Sequence, residues 1–142
     1  MRAFREAVEA QDLDAVEALL AEDVVFTSPV VFKPYSGKAI TAAILRTVAQ
    51  VFEDFSYVTE TSSADGRDHA LVFTARVGDR QLDGCDVIHV DEDGLIDRLT
   101  VMVRPLSGAQ ALAGAMGARF EQIAQRAERN ARTAEAVDSG SA

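Results

Sequence analysis

The chain is poor in the residues that mark several common functions. It holds one cysteine, Cys85, which excludes an internal disulfide and a thiolate zinc site. Its two histidines, His69 and His89, and its scattered carboxylates show no metal-ligand spacing, so no metal is expected. Basic residues are scarce too: 14 lysines and arginines stand against 23 acidic residues, for a formal net charge of −9. Such a surface repels nucleic acid and anionic membrane, and no basic stripe offsets it. There is no run of about 18 apolar residues, so no segment is expected to span a bilayer. No glycine-rich phosphate loop is present, and no nucleotide or other cofactor is expected. Residues Met1 to Glu6 lead straight into an amphipathic pattern and not into an apolar signal core, which makes a cytoplasmic location the expectation.

What remains is the composition of a globular domain. At 142 residues, 48% hydrophobic and 26% charged, the chain can bury one core but not two. Phe4, Val8, Leu13, Val16, Leu19 and Leu20 recur at near-helical spacing, and Asp12 with Asp14 marks a break between two short helices or a cap on the second. Residues 23–27 read as a short strand that Ser28-Pro29 stops, followed by a loop with Pro34 and Gly37. Helical period returns over about 38–52. After Asp54 the period changes to two, with strands expected over 55–61, 69–77, 81–90 and 95–104 and turns at Gly66, Gly78 and Gly94. Leu71, Phe73, Ala75 and Val77 share one strand face, and Leu99, Val101 and Val103 share another. Pro105 closes the last strand, and Ser107 is positioned to cap a helix over 107–132. The stripe Leu112, Met116, Phe120 and Ile123 gives that helix an apolar side, and 133–142 reads as a flexible tail. The order predicts an α+β domain in which helices cover one face of a curved antiparallel sheet.

Within the third long strand, Asp86 interrupts a run that otherwise reads as buried. A carboxylate on an apolar strand face must find a hydrogen-bond partner or stay protonated, because an unpaired buried charge costs several kcal/mol. Asp86 is therefore the leading candidate for chemistry or polar ligand recognition; the plain alternative puts it on the solvent face or at a bulge. Asp83 and His89 each lie three residues from it and face away on a regular strand. Asp83 would reach the same side only through a bulge, for which Gly84 is the natural place. Cys85 reads as a small buried hydrophobe without a basic partner, and Ser28 as a loop cap.

These elements carry a family resemblance. Gln11-Asp12-Leu13-Asp14, Val24 to Pro29 followed by Tyr35-Ser36-Gly37-Lys38-Ala39-Ile40, and Val90 to Ile96 occur in an order that resembles the nuclear-transport-factor-2-like superfamily, SnoaL-like branch. The resemblance covers 1–106, leaving the C-terminal helix as an addition. It implies a cone-shaped half-barrel with a mostly apolar pocket in its mouth, and a homodimer through the outer face of the sheet. The implied pocket residues are Phe4, Phe26, Ser28, Tyr35, Phe73, Leu99, Val101 and Val103, with Asp86 as candidate acid.

Activity is not implied with the fold. Ketosteroid isomerases combine an aspartate base with a tyrosine and a protonated aspartate that hold the oxyanion. By resemblance the tyrosine position falls on Phe4 and the base on Ser28, so only Asp86 retains its role. Steroid isomerisation by that mechanism is not expected. An epoxide-hydrolase set would need an arginine pointing inward, and Arg76 and Arg104 are the candidates, parity disfavouring the second. A cyclase could act with Asp86 alone, helped by His89 or Tyr35. The expectation is thus a domain binding a small apolar or amphipathic molecule, with two alternatives: a SnoaL-like cyclase, isomerase or hydrolase acting through Asp86, or a structural dimer whose cone Phe4, Phe26, Phe52 and Phe73 fill.

Overall fold

The period-two stretches fold as a meander, and its four strands carry most of the molecule. They are β3 (Glu53–Ser62), β4 (Asp68–Val77), β5 (Arg80–Val90) and β6 (Ile96–Arg104), each antiparallel to the next. The computed structural model describes residues 1–120, 124, 125 and 127–133. β1 (Leu20–Thr27) joins the free edge of β6, and β2 (Tyr35–Ser36) pairs outside β1. The six strands run in the order β2-β1-β6-β5-β4-β3, so the curved sheet does not close. Helices α1 (Arg2–Glu9), α2 (Leu13–Ala18), α3 (Lys38–Val51) and α4 (Leu106–Gly117) cover its inner face.

Alternation along the strands decides what that face buries. Leu71, Phe73, Ala75 and Val77 of β4 are all buried, as are Leu82 and Ile88 of β5 and Leu99 of β6. They form one core with Phe4 of α1, Val16 of α2, Ala42, Ala43 and Ile44 of α3, and Leu112 of α4. Among the described residues, no helix is long and apolar enough to cross a membrane.

The architecture is the expected α+β half-barrel, with differences that have local causes. β1 starts at Leu20, which the helical stripe had claimed, because Leu20 pairs with Ile96 in the sheet and both are buried. That pairing is parallel, so the sheet is mixed at β1 and β6. Asp12 does cap α2, its carboxylate accepting from the Ala15 amide at 3.1 Å. Ser107 caps nothing: α4 begins at Leu106 directly after Pro105, whose fixed φ of −77° sets the turn into the helix. Where one helix was expected over 107–132, α4 stops at Gly117 and a turn follows at 118–119, with helix again at 120, 124–125 and 127–133. Gly114 and Gly117 weaken its C-terminal turn. Ile123 and residues 134–142 lie outside the described residues.

Candidate functional site

Between the inner face of the sheet and the helices a cavity of about 590 Å³ stays open. Of the seven phenylalanines and two tyrosines, all but Phe32 line it. One wall is an aromatic cluster. The Phe55 and Phe73 rings stack with centroids 4.8 Å apart, Tyr57 meets Phe55 edge-on at 4.9 Å, and Phe52 packs on Phe73 at 5.5 Å. Phe26 and Tyr35 approach each other at 6.4 Å, carried by the paired strands β1 and β2.

Gly84 makes the cluster possible. It sits opposite Phe73 in the β4–β5 ladder, and a Cβ there would lie 2.1 Å from Phe73 Cζ. The missing side chain lets the Phe73 ring lie across β5. The bulge expected at Gly84 is absent: β4 and β5 pair without interruption from Asp68 and His89 to Val77 and Arg80. Asp83 therefore stays on the outer face, where Arg104 Nη1 donates to it at 2.7 Å. Arg104 is outward as parity required, and Arg76 is also engaged elsewhere, with Glu53 and Asp54.

Asp86 is on the inner face and only 8% exposed. The Tyr57 hydroxyl donates to its Oδ2 at 2.7 Å. Asp86 lines the cavity, and among the described residues its Oδ1 has no hydrogen-bond partner. Burial pushes the Asp86 carboxyl from 3.8 up to about 6, against the opposing pull of the Tyr57 hydrogen bond. Burial first, and then the charge of Asp86, push the Tyr57 phenol above its usual 10, which keeps it a donor at neutral pH. Asp83, held by Arg104 on the outer face, takes no part in this rise. A carboxyl at about 6 is present in both forms near neutral pH, protonated to donate and ionised to accept.

Tyr57 is the residue that the sequence reading missed. It faces Phe73 across β3–β4, while Asp86 faces Leu71 across β4–β5, so the pair spans a whole strand. The signal was present in part: Phe55 and Tyr57 share the inward parity of β3, and a buried phenol needs an acceptor as a buried carboxylate needs a donor.

The other expected residues divide clearly. Phe4, Phe26, Ser28, Tyr35, Phe73, Leu99 and Val101 line the cavity. Val103 does not; two residues beyond Val101 it lies across from Gly84 and packs against the core. Ser28 Oγ accepts from the Val30 and Val31 amides at 3.0 and 3.2 Å, so it caps its loop. His89 points outward, its Nδ1 2.6 Å from Asp97 Oδ1, and cannot assist Asp86. Burial raises the Cys85 thiol above its usual range, in keeping with an unreactive side chain. Among the described residues, no group of three or more His, Cys, Asp or Glu is arranged to hold a metal ion.

Residues 1–99 match the SnoaL-like domain family. A steroid Δ-isomerase from Pseudomonas aeruginosa is similar in structure at a TM-score of 0.80 and 47% identity, over 84% of this chain and 87% of that one. An uncharacterised protein with a cystatin-like fold from Silicibacter pomeroyi DSS-3 gives 0.82 and 38%, over 87% and 86%. The epoxide hydrolase/cyclase-like enzyme of pyran ring formation in salinomycin gives 0.61 at 17%, over 74% and 87%, a likeness of fold alone. No curated protein matches.

Proposed function

Because this chain belongs to the SnoaL-like domain family, we propose that its cavity binds a small, largely apolar molecule through an oxygen presented to Asp86. One observation carries this reading: the buried Asp86 carboxyl, whose Oδ1 has no hydrogen-bond partner among the described residues, lies on the wall of a mostly aromatic and aliphatic cavity. A few placed polar groups in an apolar hollow of this size give a ligand its orientation. The remaining volume of about 590 Å³ argues against a cone filled by its own side chains. Mass spectrometry of small molecules that co-purify with the native protein should find an apolar compound bearing a carbonyl or hydroxyl. Replacing Asp86 with Leu should reduce its retention roughly tenfold, the effect of losing a hydrogen bond to a charged group. Retention of a polar, multiply charged compound would contradict the reading.

The position of Asp86 favours one second reading, proton transfer on the bound molecule. A carboxyl that titrates at about 6 can act as acid or base near neutral pH. Such an enzyme would be an isomerase, cyclase or hydrolase. The Pseudomonas relative is named for steroid isomerisation, but here Phe4 and Ser28 stand where the usual mechanism needs a phenol and a carboxylate. We expect no conversion of a Δ5-3-ketosteroid above background. Turnover that Asp86→Asn abolishes would overturn that expectation and decide for the enzyme.

The outer face of the sheet supports a homodimer. Met102 is 58% exposed and lies in a row with Cys85 and Val72 across β6, β5 and β4, beside the exposed Val87. An apolar strip on a sheet face is covered in the working state. Light scattering at micromolar concentration should give about twice the 15.2 kDa of the chain; a value near 15.2 kDa would reject the dimer.

A further inference from the structure

The cavity wall farthest along the chain comes from α4 and the residues just after it, beyond the 99 residues that carry the family match. Leu112 anchors α4 in the core, and Gly108 lets it sit close on β5, since a Cβ there would be 2.7 Å from Leu82 Cβ. That anchorage points Met116 and Phe120 into the cavity wall. Phe120 is 52% exposed, and Val31, in the loop after Ser28, is 41% exposed, yet both line the cavity. The lining therefore grades from a buried carboxyl at Asp86 to a water-exposed apolar rim made by two separate elements. Most of the other polar side chains in the lining are engaged within the protein: Glu9 binds Arg5, Asp54 binds Arg76, Ser28 binds its own loop and Tyr57 binds Asp86, while Gln11 and Tyr35 complete the polar part of the lining. An exposed apolar rim continuous with an apolar interior stays wet until a ligand covers it.

We infer that Met116 and Phe120 of the C-terminal segment, together with Val31, select ligand length: the ligand binds with its oxygen at Asp86 and an elongated apolar end lying across the rim. This rests on the proposed binding function and adds the shape of the ligand and the residues that measure it. Phe120 and Val31 are half-exposed, so substituting them should leave the fold intact.

The test uses 2-alkanones of increasing chain length as probes, titrated calorimetrically into the full-length protein at about pH 5, where the Asp86 carboxyl carries the proton that a ketone oxygen accepts. Affinity should rise about fourfold per methylene while the chain fills the cavity and the rim. It should level off once the chain passes Phe120. In Phe120→Ala the loss should grow with length, from under about twofold for the shortest binding ketone to roughly five- to tenfold for the longest, and levelling should begin at a shorter chain. Val31→Ala should act in the same sense and more weakly. Equal losses across the series, or none, would overturn the length-selecting role while Asp86-dependent binding of short ketones still upheld the binding function. Failure of every ketone to bind would overturn both.

Discussion

Asp86→Asn should make the protein more stable than the wild type at neutral pH, and the advantage should disappear in acid. The folded carboxyl titrates at about 6 against an ordinary 3.8, chiefly because burial strips water from the charged form. At about 1.4 kcal/mol per pH unit, that rise corresponds to about 3 kcal/mol. The sign follows from the raised pKa. The stabilising contribution is complete below about 4, where both folded and unfolded forms are protonated. It declines between about 4 and 6, as the unfolded chain ionises freely and the folded one resists, and it is gone above about 6. Asparagine does not ionise, and its amide oxygen can still accept from Tyr57. Urea unfolding of both proteins at pH 3.5 and pH 7 isolates this group from the other carboxylates. The stability of Asp86→Asn relative to wild type should improve by about 3 kcal/mol between those two values. A difference independent of pH would mean that Asp86 does not titrate abnormally.

Gly84→Ala should be the most damaging single methyl group that can be added to the sheet. Its Cβ would stand 2.1, 2.5 and 2.6 Å from three atoms of the Phe73 ring. That ring can move only by giving up its packing. It is 1% exposed, stacked on Phe55 at 4.8 Å and packed by Phe52 at 5.5 Å. Overpacking of a fixed core side chain costs about 3 kcal/mol or slightly more, which lowers the melting temperature by roughly 10 °C for a domain of this size. Phe73 would yield toward the cavity, so affinity for an apolar ligand should fall as well. In a Phe73→Leu background, where the ring is gone, the same glycine substitution should cost less than about 1 kcal/mol. If Gly84→Ala alone stays within about 0.5 kcal/mol of wild type, the ring does not lie over β5 in solution.

These two residues show what was legible in the sequence and what was not. The period change after Asp54 and the three glycine turns gave the meander almost strand for strand, because alternation and turn chemistry are local. The same alternation put Asp86 on the inner face and Arg104 on the outer one. It could not give the partner of Asp86. Tyr57 is 29 residues away and on a strand that does not pair with β5, so the contact follows only from the registers of two ladders together. Gly84 was readable as a special position but not as to kind: a bulge and a cleared space for a ring both call for glycine. The parallel pairing of β1 with β6 was hidden for a similar reason, since it makes neighbours of the first and last strands in the chain. Val103 satisfied parity and still missed the cavity, because parity fixes a face and not how far along the strand the hollow extends.

The most direct measurement is a carboxyl-carbon NMR titration of Asp86, assigned by comparison with Asp86→Asn. A buried carboxyl held by one phenol and open to an apolar cavity should titrate with a midpoint near 6. A midpoint at or below 4 would place Asp86 in water or in a charge pair, and the cavity would lose the polar group on which its proposed function depends.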